Sequence, residues 1–165
     1  MKTVFNNIRG FTLLEIIASI VVILIIAVIA GVGLVEISKG YVFSKKNAVI
    51  TQQGQIAMAR LKKEFGNIKT VTSGTATSIT FKRSSDGSTH TISWAGGSSP
   101  LLLDSDTLVT PVISFNLNFY DSYSSTNSPY SSTTSMIEIT LQLTGADNAV
   151  KNFIDRVNLY LETGG

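Results

Sequence analysis

Residues 11–35, "FTLLEIIASIVVILIIAVIAGVGLV", decide the fold of this chain because they form its longest apolar run. From Ile16 to Val35 the run contains no charged side chain. As a helix rising about 1.5 Å per residue, that stretch would span roughly 30 Å, enough to cross the hydrocarbon core of a bilayer. One carboxylate, Glu15, lies at the start of the run. We therefore expect a transmembrane helix over residues 11–35, preceded by a short polar segment of residues 1–10.

The amino-acid composition excludes several kinds of functional site. The chain has 165 residues, which suits one domain with an appended segment. It has no cysteine, which excludes a disulfide framework, a zinc–thiolate site and a cysteine nucleophile. The net charge of +2 comes from Lys2 and Arg9, because without residues 1–10 eleven basic and eleven acidic side chains remain. This balance argues against a nucleic-acid partner.

Residues 36–68 show the spacing of an amphipathic helix that continues the apolar run. Small or apolar residues recur at steps of three and four, which is one face of a 3.6-residue period. These residues are Ile50, Gly54, Ala57, Leu61, Phe65 and Ile68. No proline interrupts residues 11–68, and a single helix over residues 11–65 would be roughly 80 Å long.

Residues 69–165 alternate with period two and predict a β-rich globular domain. "SITFKR" and "STHTISWA" flank the turn pair Asp86-Gly87 and predict a hairpin. "VISFNLNFYD", "MIEITLQL" and "DRVNLYLE" predict further half-buried strands, with Ser122–Ser135 as a polar surface loop. The expected inward residues are Ile113, Phe115, Leu117, Phe119, Ile137, Ile139, Leu141, Leu143, Val157, Leu159 and Leu161. The predicted fold is α+β: a long N-terminal helix packed on an antiparallel sheet of about four to six strands.

The amino terminus has three interpretations. A secretory signal peptide has an apolar region of about 7–15 residues, and this one is longer. A plain signal anchor accounts for the length but not for Glu15 or the abrupt Gly10-Phe11 junction. The third is that "RG" followed by "FTLLEIIASIVVILIIAVI" resembles the class III signal of the type IV pilin and pseudopilin superfamily. The resemblance implies that a prepilin peptidase/N-methyltransferase cleaves between Gly10 and Phe11 and methylates Phe11, and it makes Glu15 the family's hallmark acid.

The same resemblance implies where the chain resides. A pilin of this kind is a single-pass protein of the inner (cytoplasmic) membrane, with its C-terminal domain outside the cytoplasm. Its N-terminal helix contacts the bilayer and later other pilin or pseudopilin subunits, where Glu15 is expected to pair with the Phe11 amine of a neighbour. The positive-inside rule supports this orientation only in part. Lys2 and Arg9 precede the apolar run, but Lys39, Lys45 and Lys46 follow it.

The later sequence is similar to minor pilins and to the larger minor pseudopilins. The similarity lies in "QQGQIAMARLKKEFGNI", "ISFNLNFYD" and the closing strands. A major pilin usually has a proline within the apolar run and often a C-terminal disulfide, and this chain has neither. We therefore expect a minor pilin or pseudopilin of a type IV pilus or a type II secretion pseudopilus. DNA-uptake systems use the same N-terminal signal, so the sequence does not distinguish among a type IV pilus, type II secretion and DNA uptake.

The sequence predicts a structural subunit and neither an enzyme nor a cofactor. The alternative is a membrane-tethered extracytoplasmic module that binds DNA, calcium or an exported substrate. Asp104, Asp106 and Asp121 are weak candidates for calcium ligands, although solvated turns use the same residues. His90 is the only histidine, and we expect it to pack on its strand beside Ile92. Two further groups have both a binding and a packing interpretation: the basic residues Lys39, Lys45, Lys46, Arg60, Lys62 and Lys63, and the aromatic residues Trp94, Tyr120, Tyr123 and Tyr130.

Overall fold

The structure, a computed structural model, describes residues 11–159. One helix, α1, is followed by eight strands and a 3₁₀ turn at Ala146–Asn148. The elements are α1 Leu13–Gly66, β1 Ile68–Gly74, β2 Ser78–Arg83, β3 Thr89–Trp94, β4 Leu101–Leu103, β5 Asp106–Val109, β6 Val112–Tyr120, β7 Met136–Thr144 and β8 Val150–Asn158. The predicted α+β class, a long N-terminal helix packed with antiparallel strands, is confirmed. The predicted leader, residues 1–10, lies outside the described residues.

The chain divides into two compact units, and the first ends at Val42. Its described part is helical from Leu13 onward and exposes every side chain from Phe11 to Val42. Its most apolar 18-residue window has a mean hydropathy of 3.1 with none of it buried, so α1 is long and apolar enough to cross a membrane. Hydroxyl groups inside this part are satisfied locally, since Ser19 Oγ donates to the Glu15 carbonyl at 2.7 Å.

The second unit begins at Phe43 and contains the rest of α1 together with all the strands. The predicted helix face is confirmed where it meets the sheets, because Gly54, Ala57, Leu61 and Phe65 are buried. Ile50 is only half-buried. Helix α1 ends at Gly66, so Ile68 belongs to β1 rather than to the helix as expected, yet it is buried in the same core.

The strands form two antiparallel sheets rather than the one sheet expected. Strands β1 to β5 make a five-stranded meander in chain order, and β6, β7 and β8 make a three-stranded sheet. The break falls at Thr110-Pro111, between β5 and β6. Proline lacks an N–H and cannot continue a ladder of hydrogen bonds, which fits a break at this position. Leu117 N–H donates to the Ala76 carbonyl at 2.7 Å and links β6 to the β1–β2 turn.

Most of the predicted strand alternation is confirmed. The β2–β3 hairpin turns at Gly87, whose positive φ of 68° favours glycine. The alternating residues of β7 are fully buried, as expected. In β6 the pairing register shifts between Val112 and Ser114, so Val112 is buried and Ile113 is exposed, contrary to the prediction. A bulge of this kind reverses which side chains face the core, and periodicity cannot reveal it.

Helix and sheets share one hydrophobic core within the second unit. Gly54 permits the closest approach, because a Cβ at this position would overlap the Phe153 ring on β8. Leu159 is buried, as the alternation predicted, and Leu161 lies outside the described residues. The polar loop Ser122–Ser135 is held to the domain by Tyr130, whose ring packs edge-on against Phe119 with centroids 5.6 Å apart.

Candidate functional site

The start of α1 carries the residues that the sequence singled out for processing and assembly. Phe11 is 77% exposed and immediately precedes Thr12, whose carbonyl and hydroxyl oxygens both accept the Glu15 N–H, at 3.1 and 3.3 Å. Threonine at a helix start supplies this kind of cap. Gly10, the other half of the predicted cleavage site, lies outside the described residues.

Glu15 lies in the first turn of α1 with its side chain exposed. The described part of the chain supplies no hydrogen bond or ion pair to its carboxylate. The positive end of the helix dipole favours a carboxylate here, which lowers the cost of placing one at the head of an apolar helix. A charge in this position within lipid costs a few kcal/mol unless a partner is supplied, and such groups are usually functional.

A second polar arrangement lies at the rim of the five-stranded sheet. His90 Nδ1 is 2.8 Å from Asp104 Oδ2, and His90 Nε2 is 2.6 Å from Ser88 Oγ. The Thr91 N–H donates to Asp104 Oδ1 at 2.8 Å. The His90 ring also packs against Phe81, with centroids 6.1 Å apart. His90 is therefore a half-buried strand histidine, as expected, but it also connects a hydroxyl to a carboxylate.

Two aspartates beside His90 are stabilised in their ionised form. Hydrogen bonds from Ser88 to Asp86 lower the pKa of that carboxyl, with smaller help from Arg83 and His90. Burial alone would raise the pKa of Asp104, but hydrogen bonds from His90 and Thr91 outweigh it and lower the pKa overall. His90 is thus flanked by two carboxylates, since Asp86 Oδ2 lies 4.0 Å from Nε2.

The three aspartates proposed as calcium ligands are not assembled into a site. Asp104 faces His90, Asp106 begins β5, and Asp121 follows β6 in the other sheet. Among residues 11–159, no three histidine or carboxylate side chains are placed to hold a metal ion together.

Three of the six basic residues named on α1, Lys39, Arg60 and Lys62, pair with carboxylates. Lys39 pairs with Glu36 at 2.8 Å, and Lys62 pairs with Asp155 on β8 at 2.8 Å. The strongest pair, which sequence reasoning missed, joins Glu64 to Arg83 on β2 through contacts of 2.7 and 3.1 Å. Only 6% of the Glu64 side chain and 21% of the Arg83 side chain are exposed. The contact of Lys62 with β8 favours a packing role for that residue, whereas the Lys39–Glu36 pair is exposed at the surface.

Of the aromatic residues named from the sequence, Trp94, Tyr120 and Tyr130 are half-buried, whereas Tyr123 is 80% exposed. Trp94 Nε1 donates to the Ser99 carbonyl at 3.1 Å. The Arg156 guanidinium lies 4.9 Å from the Tyr120 ring centroid and 5.8 Å from that of Tyr123. The cation–π contact with Arg156 accounts for the placement of the half-buried Tyr120.

Comparisons with protein-family models, with curated proteins and with solved structures found no match for this chain.

Proposed function

We propose that the chain is a structural subunit of the type IV pilin and pseudopilin kind, and that it is a minor pilin or pseudopilin. On this proposal it is cleaved between Gly10 and Phe11, methylated at Phe11, held in the inner membrane by α1 and assembled into a pilus or secretion pseudopilus. The chain itself catalyses no turnover. The main support for this proposal is helix α1, which begins beside the exposed Phe11 and Glu15 and whose last turns bury one face in the core of the second unit.

The helix supports the proposal because its two parts suit two environments. Up to Val42 all described side chains are exposed, which suits lipid or neighbouring helices. From Gly54 onward one face is buried, which fixes the helix to the second unit. A helix fixed in this way can transmit an anchor or an assembly contact to the domain that it carries.

Glu15 supplies the chemistry of the assembly step. Cleavage before Phe11 would create an α-amino cation four residues from this carboxylate. In a bundle of helices, Glu15 of an incoming subunit and the Phe11 amine of its neighbour would neutralise each other in a medium of low dielectric constant, where opposite charges attract more strongly than in water. The absence of a partner for Glu15 within the described residues is consistent with one that comes from another chain.

The experiment compares Glu15→Ala with Glu36→Gln. Glu36 is the next acidic residue of α1, and its partner is the exposed Lys39. We expect Glu15→Ala to be cleaved and methylated normally but to be missing from sheared filaments or crosslinked assemblies, whereas Glu36→Gln is incorporated like the wild type. Normal incorporation of Glu15→Ala would contradict the proposed pairing.

A further inference from the structure

Ser88, His90 and Asp104 form a continuous hydrogen-bonded chain at the sheet rim. Ser88 is exposed at the end of the β2–β3 turn, immediately before β3, and its hydroxyl lies 2.6 Å from His90 Nε2. Asp104 reaches His90 from the β4–β5 turn, where its positive φ of 57° departs from the extended backbone on either side. Its carboxylate is fixed because Asp104 N–H donates to the Thr91 carbonyl at 2.7 Å and Thr91 N–H donates back to Oδ1 at 2.8 Å.

This geometry determines how the imidazole is used. An ionised carboxylate only accepts hydrogen bonds, so the neutral His90 ring carries its proton on Nδ1 and directs it to Asp104. Nε2 then presents a lone pair to the Ser88 hydroxyl, 2.6 Å away. A nucleophile, a base within hydrogen-bond reach and a third group that orients the base are the parts of an activated serine.

Asp86 is a second acceptor close to Ser88. Asp86 Oδ1 already accepts the Ser88 backbone N–H at 3.0 Å. The Ser88 hydroxyl is also within reach of Asp86, but His90 Nε2 lies 2.6 Å from Ser88 Oγ and the ring is oriented by Asp104 at 2.8 Å, so the geometry favours His90 as the acceptor of the hydroxyl proton. The Ser88 N–H, being held by Asp86, is not free to stabilise an oxyanion. The attacked carbonyl must therefore be activated by its own leaving group.

We propose that Ser88 is an acyl-acceptor site, with His90 as its general base and Asp104 as the positioning residue. The donor class is an acyl group on a good leaving group, such as an aryl ester or a thioester. Ser88 Oγ bonds to the carbonyl carbon as the bond to the leaving group breaks. The hydroxyl proton passes to His90 Nε2 and then to the departing phenolate or thiolate. The product is an ester on Ser88, formed once per chain, so the site is compatible with a structural subunit.

The test treats the full-length chain in detergent micelles with p-nitrophenyl acetate and locates the acetyl group by mass spectrometry. Trypsin cleaves after Arg83 and after Lys151, and no lysine or arginine lies between them, so Ser88 falls in a peptide without internal amines. Ser84 and Ser85 lie on the same turn and serve as internal controls. Because general-base catalysis contributes about 10²-fold or more, we expect Ser88 to be acetylated at least about 100-fold faster than either.

Variants distinguish activation from simple exposure. His90→Gln should reduce acetylation of Ser88 to the rate of Ser85, while Ser85→Ala leaves the Ser88 rate unchanged. Asp104→Asn should slow the reaction, because the carboxylate that accepts from His90 Nδ1 and orients the ring is lost, while Ser84 and Ser85 keep their rates. The charged groups around His90 are Asp86 from the β2–β3 turn, Asp104 from the β4–β5 turn and Arg83 at the end of β2.

Two results would overturn the proposal. In the wild-type chain, acetylation of Ser88 no faster than that of Ser84 and Ser85 would show that the hydroxyl is not activated, and this result needs no variant. Acetylation of Ser88 in a folded His90→Gln chain at the wild-type rate would show that His90 is not the base. Folding of each variant is checked by the fluorescence of Trp94, the only tryptophan.

Discussion

The ion pair between Glu64 and Arg83 gives the most quantitative test of how α1 is fixed to the sheets. Arg83→Met removes the guanidinium but keeps an unbranched apolar side chain of moderate length. Glu64 would remain almost fully buried, with Arg60 Nε at 3.5 Å as its remaining cationic partner. A buried carboxylate that loses its main partner destabilises the fold by its desolvation cost.

The expected loss of folding free energy follows from the exposed fractions of the Glu64 and Arg83 side chains and from the two hydrogen bonds between them. Removing one partner of a fully buried ion pair costs about 3–5 kcal/mol. Here Arg83 is 21% exposed and Arg60 stays near the carboxylate, so the penalty is smaller. Two charge-assisted hydrogen bonds are lost, and we expect the free energy of unfolding to fall by about 2–3 kcal/mol. Adding Glu64→Gln to Arg83→Met should recover at least about 1 kcal/mol, because a neutral amide is cheaper to bury than a carboxylate.

The assay is urea unfolding of the full-length chain in detergent micelles, followed by Trp94 fluorescence. Lys62→Met is the matched control, because it also removes a contact of 2.8 Å or less between α1 and a strand, but one whose side chains are 50% and 37% exposed. We expect this control to lose less than about 1 kcal/mol. If Arg83→Met were no more destabilising than Lys62→Met, the pair would not fix the helix as argued here.

Two further predictions concern packing and pH. Gly54→Ala should lower the free energy of unfolding by about 1–2 kcal/mol, because the new methyl group displaces the Phe153 ring. Gly40→Ala should not lower it, because a methyl group at that position meets no atoms. Equal effects of the two substitutions in urea unfolding would refute the close packing at Gly54. The hydrogen bond from Arg156 lowers the folded-state pKa of Glu138 from its ordinary 4.5, so the folded state binds fewer protons than the unfolded state. The stability gained from Glu138 is therefore present above pH 4.5 and lost as the pH falls through the lower folded-state pKa. In urea unfolding, Glu138→Gln should make the free energy of unfolding depend less on pH in the acid range. An unchanged pH dependence would contradict the lowered pKa of Glu138.

The sequence predicted the elements that have a strong period. The apolar run, the buried face of α1, the β2–β3 hairpin and the alternation of β7 all follow from residue spacing, because burial on one face imposes that spacing. The split into two sheets and the bulge that exposes Ile113 did not follow. They depend on how strands pair, and pairing is decided by contacts between residues distant in sequence.

Among the candidate sites, too, local patterns are visible in the sequence, whereas contacts between distant residues are not. The sequence singles out Phe11 and Glu15 because their pattern is local, within a few residues of the helix start, and their role stays a prediction. Glu64 and Arg83 lie 19 residues apart, on a helix and a strand, so only the fold brings them together. The two-residue spacing of Ser88 and His90 is visible in the sequence, but Asp104 reaches His90 through the meander of β3 and β4.

Under the proposed function, Phe11 becomes the N-terminus of the mature subunit. The most direct measurement is the intact mass and the N-terminal peptide of the chain extracted from membranes of a host that contains a prepilin peptidase. We expect a chain without residues 1–10 that begins at a singly methylated Phe11. A chain that keeps Met1, or that is cut elsewhere within the apolar run, would contradict it.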